Sequence, residues 1–173
     1  ESSPTSGSGF TSIGVSSTSP ILNINPTSSL YYRCQVTCGA STLPSTEVLV
    51  TVPTAFPGGF YTIDNTLSTG GGNFASFVDA VSAMACGISG PVVFDLAPGT
   101  GPYNEQVTIP QIGGASATNT ITFNGNGVSL VSASANTNSR EGILLNGADH
   151  VTIDNFVIDV FAGTYGWGVR LTN

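Results

Sequence analysis

The chain of 173 residues carries ten acidic side chains, three arginines and no lysine, for a formal net charge of −7. This shortage of cations argues against nucleic acids and anionic membrane surfaces as partners, and no apolar run reaches the roughly 20 residues of a membrane-spanning helix. Hydrophobic residues still make up 40% of the sequence and recur in short alternations, which predicts a folded, all-β protein.

Residues 1–52 have the character of a β-sandwich, because short apolar runs alternate with segments rich in Ser, Thr and Gly. Tyr32 lies two residues before Cys34, as at the tyrosine corner of immunoglobulin-like domains. Three strands are predicted, at residues 21–24, 31–37 and 47–52.

The last of these strands is expected to bury Val48, Val50 and Val52 on one face, after a loop at residues 39–45. An immunoglobulin-like domain has about seven strands, so we expect residues 1–52 to be only its C-terminal part. The prolines and glycines of residues 53–60 interrupt any strand or helix and predict a linker, with a second domain at residues 61–173.

After a short strand at residues 61–64, one helix is predicted, from an N-cap at Asn73 to about Ala85. It is expected to cover the first end of the domain that follows, and Cys86 at its end is expected to be buried. Its apolar residues recur at helical spacing and form the predicted packing face: Phe74, Phe77, Val78, Val81, Met84 and Ala85.

Eight short apolar alternations then follow, too closely spaced to leave room for crossover helices. The run at residues 142–145 recurs at 168–171, and the run at 121–124 has a similar counterpart at 151–154. Recurrence on a scale of roughly 20–50 residues predicts a parallel β-solenoid, in which each coil buries its apolar face against its neighbours. The alternations are Val92/Phe94/Leu96, Val107/Ile109, Ile121/Phe123, Val128/Leu130, Ile143/Leu145, Val151/Ile153, Phe156/Ile158/Val160 and Val169/Leu171.

Several of these segments resemble the β-helix domains of large Bacteroidetes surface proteins, and residues 31–38 resemble the run that closes an immunoglobulin-like repeat in the same group. The resemblance implies a right-handed, pectate-lyase-like parallel β-helix in an extracellular or cell-surface protein. It also implies export by the type IX secretion system, with components of that system as partners, and a role in adhesion or gliding. The segments are residues 61–64, 73–81, 87–94, 103–110 and 114–123.

The acidic residues offer little catalytic chemistry. Residues 101–105 resemble the Gly-x-Tyr-x-Glu element of pectin methylesterases, but the paired aspartates expected on later coils are missing, so Glu105 is interpreted as structural. Asp149, Asp154 and Asp159 lie five residues apart, which distributes them around a coil, and His150 is a lone turn histidine. We therefore assign no catalytic, cofactor or metal site, and Ca²⁺ is the one cation that these carboxylates leave open.

Cys34 and Cys38 are the disulfide candidates. The resemblance implies a partner for Cys34 on an upstream strand, with Cys38 or a free thiol as the alternatives. Trp167, between two glycines, is a candidate contact for a sugar ring, with a core or edge role as the alternative.

These observations predict a fragment of a bacterial adhesin or surface-structural protein that binds extracellular glycans or surfaces. Two alternatives remain. One is a polysaccharide-degrading β-helix lyase, hydrolase or esterase with its site beyond residue 173, and the other is a passenger of the export machinery captured as a partial chain.

Overall fold

The structure is a computed structural model that describes residues 1–14, 18–19, 21–161 and 163–173. It is all-β, with 39% strand and 4% helix. The chain divides into two compact units, Glu1–Thr54 and Ala55–Asn173.

The first unit consists of a small antiparallel sheet and a separate hairpin. The sheet has the order β1-β2-β5, and β3 pairs with β4 in the hairpin. The Ser6 hydroxyl and the Gly7 N–H donate to the carboxylate of Glu47, and these bonds lower the pKa of Glu47 below its usual value. The strands are β1 Ser2–Ser3, β2 Leu30–Tyr32, β3 Gln35–Cys38, β4 Ser41–Pro44 and β5 Val48–Val50.

Four expectations for this unit were wrong. Residues 21–24 form no strand, and the strand predicted at 31–37 is interrupted at Arg33 and Cys34, because β2 pairs with β5 while β3 pairs with β4. The loop predicted at 39–45 contains β4, since Gly39 adopts a positive φ of 61° that lets the chain reverse into the hairpin. Val48 is 61% exposed and shares no buried face with Val50 and Val52, which are partly buried.

The second unit contains a parallel β-solenoid of about four turns. Three coils each contribute one strand to each of three parallel sheets: β8, β9 and β10, then β11, β12 and β13, then β14, β15 and β16. Two strands before the first coil, β6 and β7, extend one of these sheets. The elements are β6 Gly59–Ile63, β7 Asn73–Phe74, α1 Phe77–Ala83, β8 Val92–Leu96, β9 Tyr103–Asn104, β10 Val107–Pro110, β11 Ile121–Asn124, β12 Ser129–Val131, β13 Glu141–Asn146, β14 Val151–Asp154, β15 Val157–Asp159 and β16 Trp167–Thr172.

The strand register confirms the repeats found in the sequence. Ile143 pairs with Val169, and Ile121 pairs with Val151, as the recurring runs predict. Gly142 begins one repeat. A side chain at this position would collide with the next coil, because a Cβ there would lie 2.7 Å from the Ile158 side chain. The short strand β9 was missed, because two residues are too few to show an alternation.

The interior of the solenoid is a column of stacked side chains from successive coils. The Phe94 and Phe123 rings occupy paired positions and stack with centroids 5.0 Å apart, and the Phe56 ring stacks on the other side of Phe94 at 6.2 Å. Such offset aromatic pairs add to the free energy gained by burying the rings. A coil that lies between two others therefore has its apolar residues covered on both sides.

Phe56 lies within residues 53–60, which were expected to be a linker. Its ring packs in the solenoid core, and its N–H donates to the carbonyl of Gly87 at 2.8 Å. Gly58 passes so close to Gly90 that a Cβ would lie 2.9 Å from the Gly90 backbone. Most of this segment thus belongs to the second unit, whose first strand β6 begins at Gly59.

The helix is shorter than predicted and begins later. Asn73 is not its N-cap, because the Asn73 backbone bonds with Gly70 and its buried side chain accepts from the Thr62 hydroxyl at 2.7 Å. Ser76 is the N-cap, and its hydroxyl accepts from the Asp79 N–H at 3.0 Å. The predicted packing face is also corrected, because Val78 and Ala85 are exposed whereas Ala80 is fully buried.

Candidate functional site

The candidate site lies at one corner of the solenoid, where the chain passes from the second to the third strand of each coil. The connecting loops are residues 105–106 in the first coil, 132–140 in the second and, in the part that the structure describes, 160–161 and 163–166 in the third. The two longer loops lie side by side, since the Tyr165 N–H donates to the Ser134 carbonyl at 3.2 Å. The Trp167 N–H donates to the Arg140 carbonyl at 2.9 Å and fixes the start of β16 against the longer loop.

At this corner two arginine side chains contact the only tryptophan in the chain. The Arg140 guanidinium lies 4.9 Å from the ring centroid of Trp167 and 5.4 Å from that of Tyr165, and the Arg170 guanidinium lies 5.2 Å from that of Trp167. These distances are within the range of a cation–π interaction. Trp167 is 44% exposed and Tyr165 37% exposed, so both rings still present surface to solvent. We call these four residues the corner cluster.

Glu141 contacts both arginines of the corner cluster through its carboxylate. Its side chain is buried, one carboxylate oxygen accepts the Arg140 N–H at 3.0 Å, and the same oxygen lies 3.7 Å from Arg170. The Arg140 Nε donates to the Thr137 carbonyl at 2.6 Å, which orients the guanidinium over the rings. The cluster is therefore held by backbone and carboxylate contacts rather than by long side chains alone.

A polar cavity of about 300 Å³ lies one coil away at the same corner. The Gln106 side chain connects it to the corner cluster, because its amide donates to the carbonyls of Ser139 and Glu141 at 3.0 and 3.2 Å. The cavity also contains Ser132, whose hydroxyl is buried and has no hydrogen-bond partner among the described residues. The lining residues are Asn104, Glu105, Gln106, Val131, Ser132 and Ala133.

Glu105, from the esterase-like element, holds the helix in place, and Tyr103 connects the same element to strand β6. The two Glu105 carboxylate oxygens accept the backbone N–H groups of Phe77 and Val78, at 3.1 and 3.0 Å, in the first turn of α1. The Tyr103 hydroxyl is buried and donates to the Ile63 carbonyl at 3.0 Å. Both Glu105 oxygens are thus engaged with the backbone, which gives the motif a structural role in this chain.

The other acidic candidates are not brought together. Asp149, His150, Asp154 and Asp159 are all exposed, and Asp159 accepts the N–H of Phe161 at 3.0 Å. In the part of the chain that the structure describes, no group of three or more His, Cys, Asp or Glu side chains could hold a metal ion. His150 adopts a positive φ of 58° in the turn before β14.

Cys34, Cys38 and Cys86 are all exposed free thiols. Cys34 precedes strand β3 and Cys38 ends it, which separates them by about 13 Å at the usual rise per residue, too far for a disulfide. A bond from Cys34 to an upstream strand stays a prediction. Cys86 was expected to be buried, but α1 ends at Ala83 and Cys86 lies in the turn that follows, where it is exposed.

The chain matches no known protein family, no curated protein and no solved structure. The solenoid is therefore identified by its strand order and register alone. No helix in the described ranges is both long and apolar enough to cross a membrane.

Sequence reasoning singled out Trp167 but missed Arg140, Tyr165, Arg170 and Glu141. The spacing of paired strands gives no signal for them. Val107 and Ile143 lie further apart in the sequence than Ile143 and Val169, but most of the extra residues lie in the loop 111–120, at a different corner from the loop 132–140 that carries Arg140.

Proposed function

We propose that the chain is part of an extracellular bacterial adhesin or surface-structural protein that binds glycans at the corner cluster. The observation that carries the proposal is the partly exposed Trp167 ring, which has two guanidinium groups within 5.2 Å of its centroid and a second exposed aromatic ring beside it. A flat aromatic face stacks on the apolar face of a sugar, and guanidinium N–H groups donate to its hydroxyls.

The surroundings of the cluster support a carbohydrate ligand. The polar cavity next to it is lined by the amide side chain of Asn104, a group that can both donate to and accept from sugar hydroxyls, while the Gln106 amide is engaged with Ser139 and Glu141. The cavity and the corner cluster lie at the same corner on successive coils, so a linear glycan can lie across more than one coil.

The finer features of the proposal come from the sequence resemblance. In this proposal the solenoid is a right-handed, pectate-lyase-like β-helix, and the first unit belongs to an immunoglobulin-like repeat. Export by a type IX system of the Bacteroidetes kind would place the protein on the cell surface, where adhesion requires it.

The proposal is tested by the substitution Trp167→Ala, measured on a glycan array with the full chain. Removing the stacking surface should weaken binding of the array glycans by about tenfold, as expected for loss of an aromatic contact of about 1–3 kcal/mol. Phe161→Ala is the matched control, because Phe161 is 94% exposed and belongs to the neighbouring loop but not to the cluster. Absence of glycan binding by the unsubstituted chain, or equal losses in both variants, would contradict the proposal.

A further inference from the structure

The charges at the corner cluster say more about the ligand than its aromatic rings do. Unit Ala55–Asn173 has two arginines and no lysine, and both arginines, Arg140 and Arg170, lie against Trp167. Its eight carboxylates are spread over the unit: Asp64, Asp79, Asp95, Glu105, Glu141, Asp149, Asp154 and Asp159. The cluster is thus a small positive site on an otherwise negative solenoid.

Arg140 has no carboxylate within ion-pair distance among the described residues. Its Nε donates to the Thr137 carbonyl, which leaves the two terminal nitrogens of the guanidinium for another acceptor. The guanidinium is partly exposed and lies over two rings, so it is fixed in place before any ligand arrives. A fixed guanidinium fork matches a planar carboxylate or an oxyanion ester.

Arg170 is only loosely paired. Its nearest carboxylate oxygen, on Glu141, lies 3.7 Å away, and that oxygen already accepts the Arg140 backbone N–H. The corner cluster and Glu141 together hold two guanidinium groups and one buried carboxylate, which leaves an excess of one positive charge at the cluster. A neutral sugar would leave this excess uncompensated, whereas one anionic group on the ligand would balance it.

We infer that the corner cluster recognises a glycan that carries a single anionic sugar among neutral ones, with the anionic group bound by the guanidinium groups of Arg140 and Arg170 and a sugar ring against the exposed part of Trp167. This inference rests on the glycan-binding function proposed above. Chains with an anionic group on every sugar bind more weakly, because further groups would face the neighbouring cavity, whose lining includes Glu105 and no cationic side chain.

The test compares glycans on an array that differ only in charge: neutral oligosaccharides, the same oligosaccharides with one uronate, the same with one sulfate ester, and fully anionic chains such as oligogalacturonate. The singly anionic glycans should bind at least about tenfold more tightly than the neutral ones, as expected for one charge-assisted hydrogen bond of about 1.5–3 kcal/mol. The uronate and sulfate arms show which anion fits.

Arg140→Gln should remove this preference and bring the singly anionic glycans to the affinity of the neutral ones. Arg33→Gln is the matched control, since it changes the net charge equally but lies in the first unit. Arg170→Gln is a second variant in case Arg140→Gln fails to fold, and it should reduce the preference as well.

Equal binding of neutral and singly anionic glycans, or an unchanged preference in folded Arg140→Gln, would overturn this inference while the proposed function stands. Tighter binding of the fully anionic chains would overturn the restriction to a single anionic sugar. If no glycan binds at all, the proposed function fails and this inference fails with it.

Discussion

The two units have a similar low-charge composition but very different interiors. Every buried hydrophobic side chain among the described residues belongs to the second unit, from Ile63 to Ile143. Among the described residues of the first unit only Ser2 and Ser3 are buried, and Leu43 is 72% exposed. The apolar alternation that marks buried strands in the solenoid thus marks exposed strands in the first unit.

The difference shows that alternation predicts a strand but does not predict what covers it. In the solenoid, each inner strand has parallel neighbours on both sides and a stacked core beneath, so its apolar residues are covered by repetition. The described part of the first unit has one sheet of three strands and a separate hairpin, without the second packed layer that would bury an apolar face.

The largest expected effect comes from truncating a leucine inside the solenoid. Leu130 is fully buried on the middle coil, so Leu130→Ala should lower the free energy of unfolding by about 2–5 kcal/mol through lost burial and a cavity. Urea denaturation followed by Trp167 fluorescence would measure it, because the only tryptophan reports on this unit. A loss below about 1 kcal/mol would mean that the coils are not packed as described.

A smaller effect is expected at the helix that precedes the first coil. Glu105→Ala removes both acceptors of the Phe77 and Val78 N–H groups and should cost roughly 1–3 kcal/mol. Glu105→Gln is the control, since its amide oxygen retains one acceptor, and it should lose less. Hydrogen exchange of the two amides would locate the change, and unchanged protection in the alanine variant would refute the helix-capping role.

The smallest effect is expected in the first unit. Leu43→Ala is the same chemical change as Leu130→Ala, but at an exposed position it should alter the free energy of unfolding by no more than about 0.5 kcal/mol. Thermal unfolding followed by circular dichroism would measure it. A loss comparable to that of Leu130→Ala would show that Leu43 is covered in solution and would remove the contrast between the two units.

Much of the solenoid could be predicted because its order is local and repetitive. Register follows from the recurrence of apolar residues, so Ile121 and Val151 could be paired from their spacing alone. The helix boundary could not, since Asn73 is a good N-cap by type and only its tertiary bonds to Gly70 and Thr62 place it in a strand. Capping preference is a weak signal beside such contacts.

The corner cluster was only partly accessible for a related reason. Trp167 stood out by rarity, but its partners come from different coils, with Arg140 at the end of a loop whose path no periodicity describes. Contacts between irregular loops depend on side-chain packing across the coils, which composition does not encode.

The corner loops differ in length from coil to coil, while the sheet that holds Phe94 and Phe123 keeps its spacing. Val92, Ile121 and Val151 stay paired in register, although the loop at this corner comprises residues 105–106 in the first coil and residues 132–140 in the second. Insertions at this corner therefore leave the pairing of the strands that carry the buried core residues unchanged. Evolution, or a protein engineer, can remodel what the corner binds by lengthening a single loop, at little risk to the scaffold that supports it.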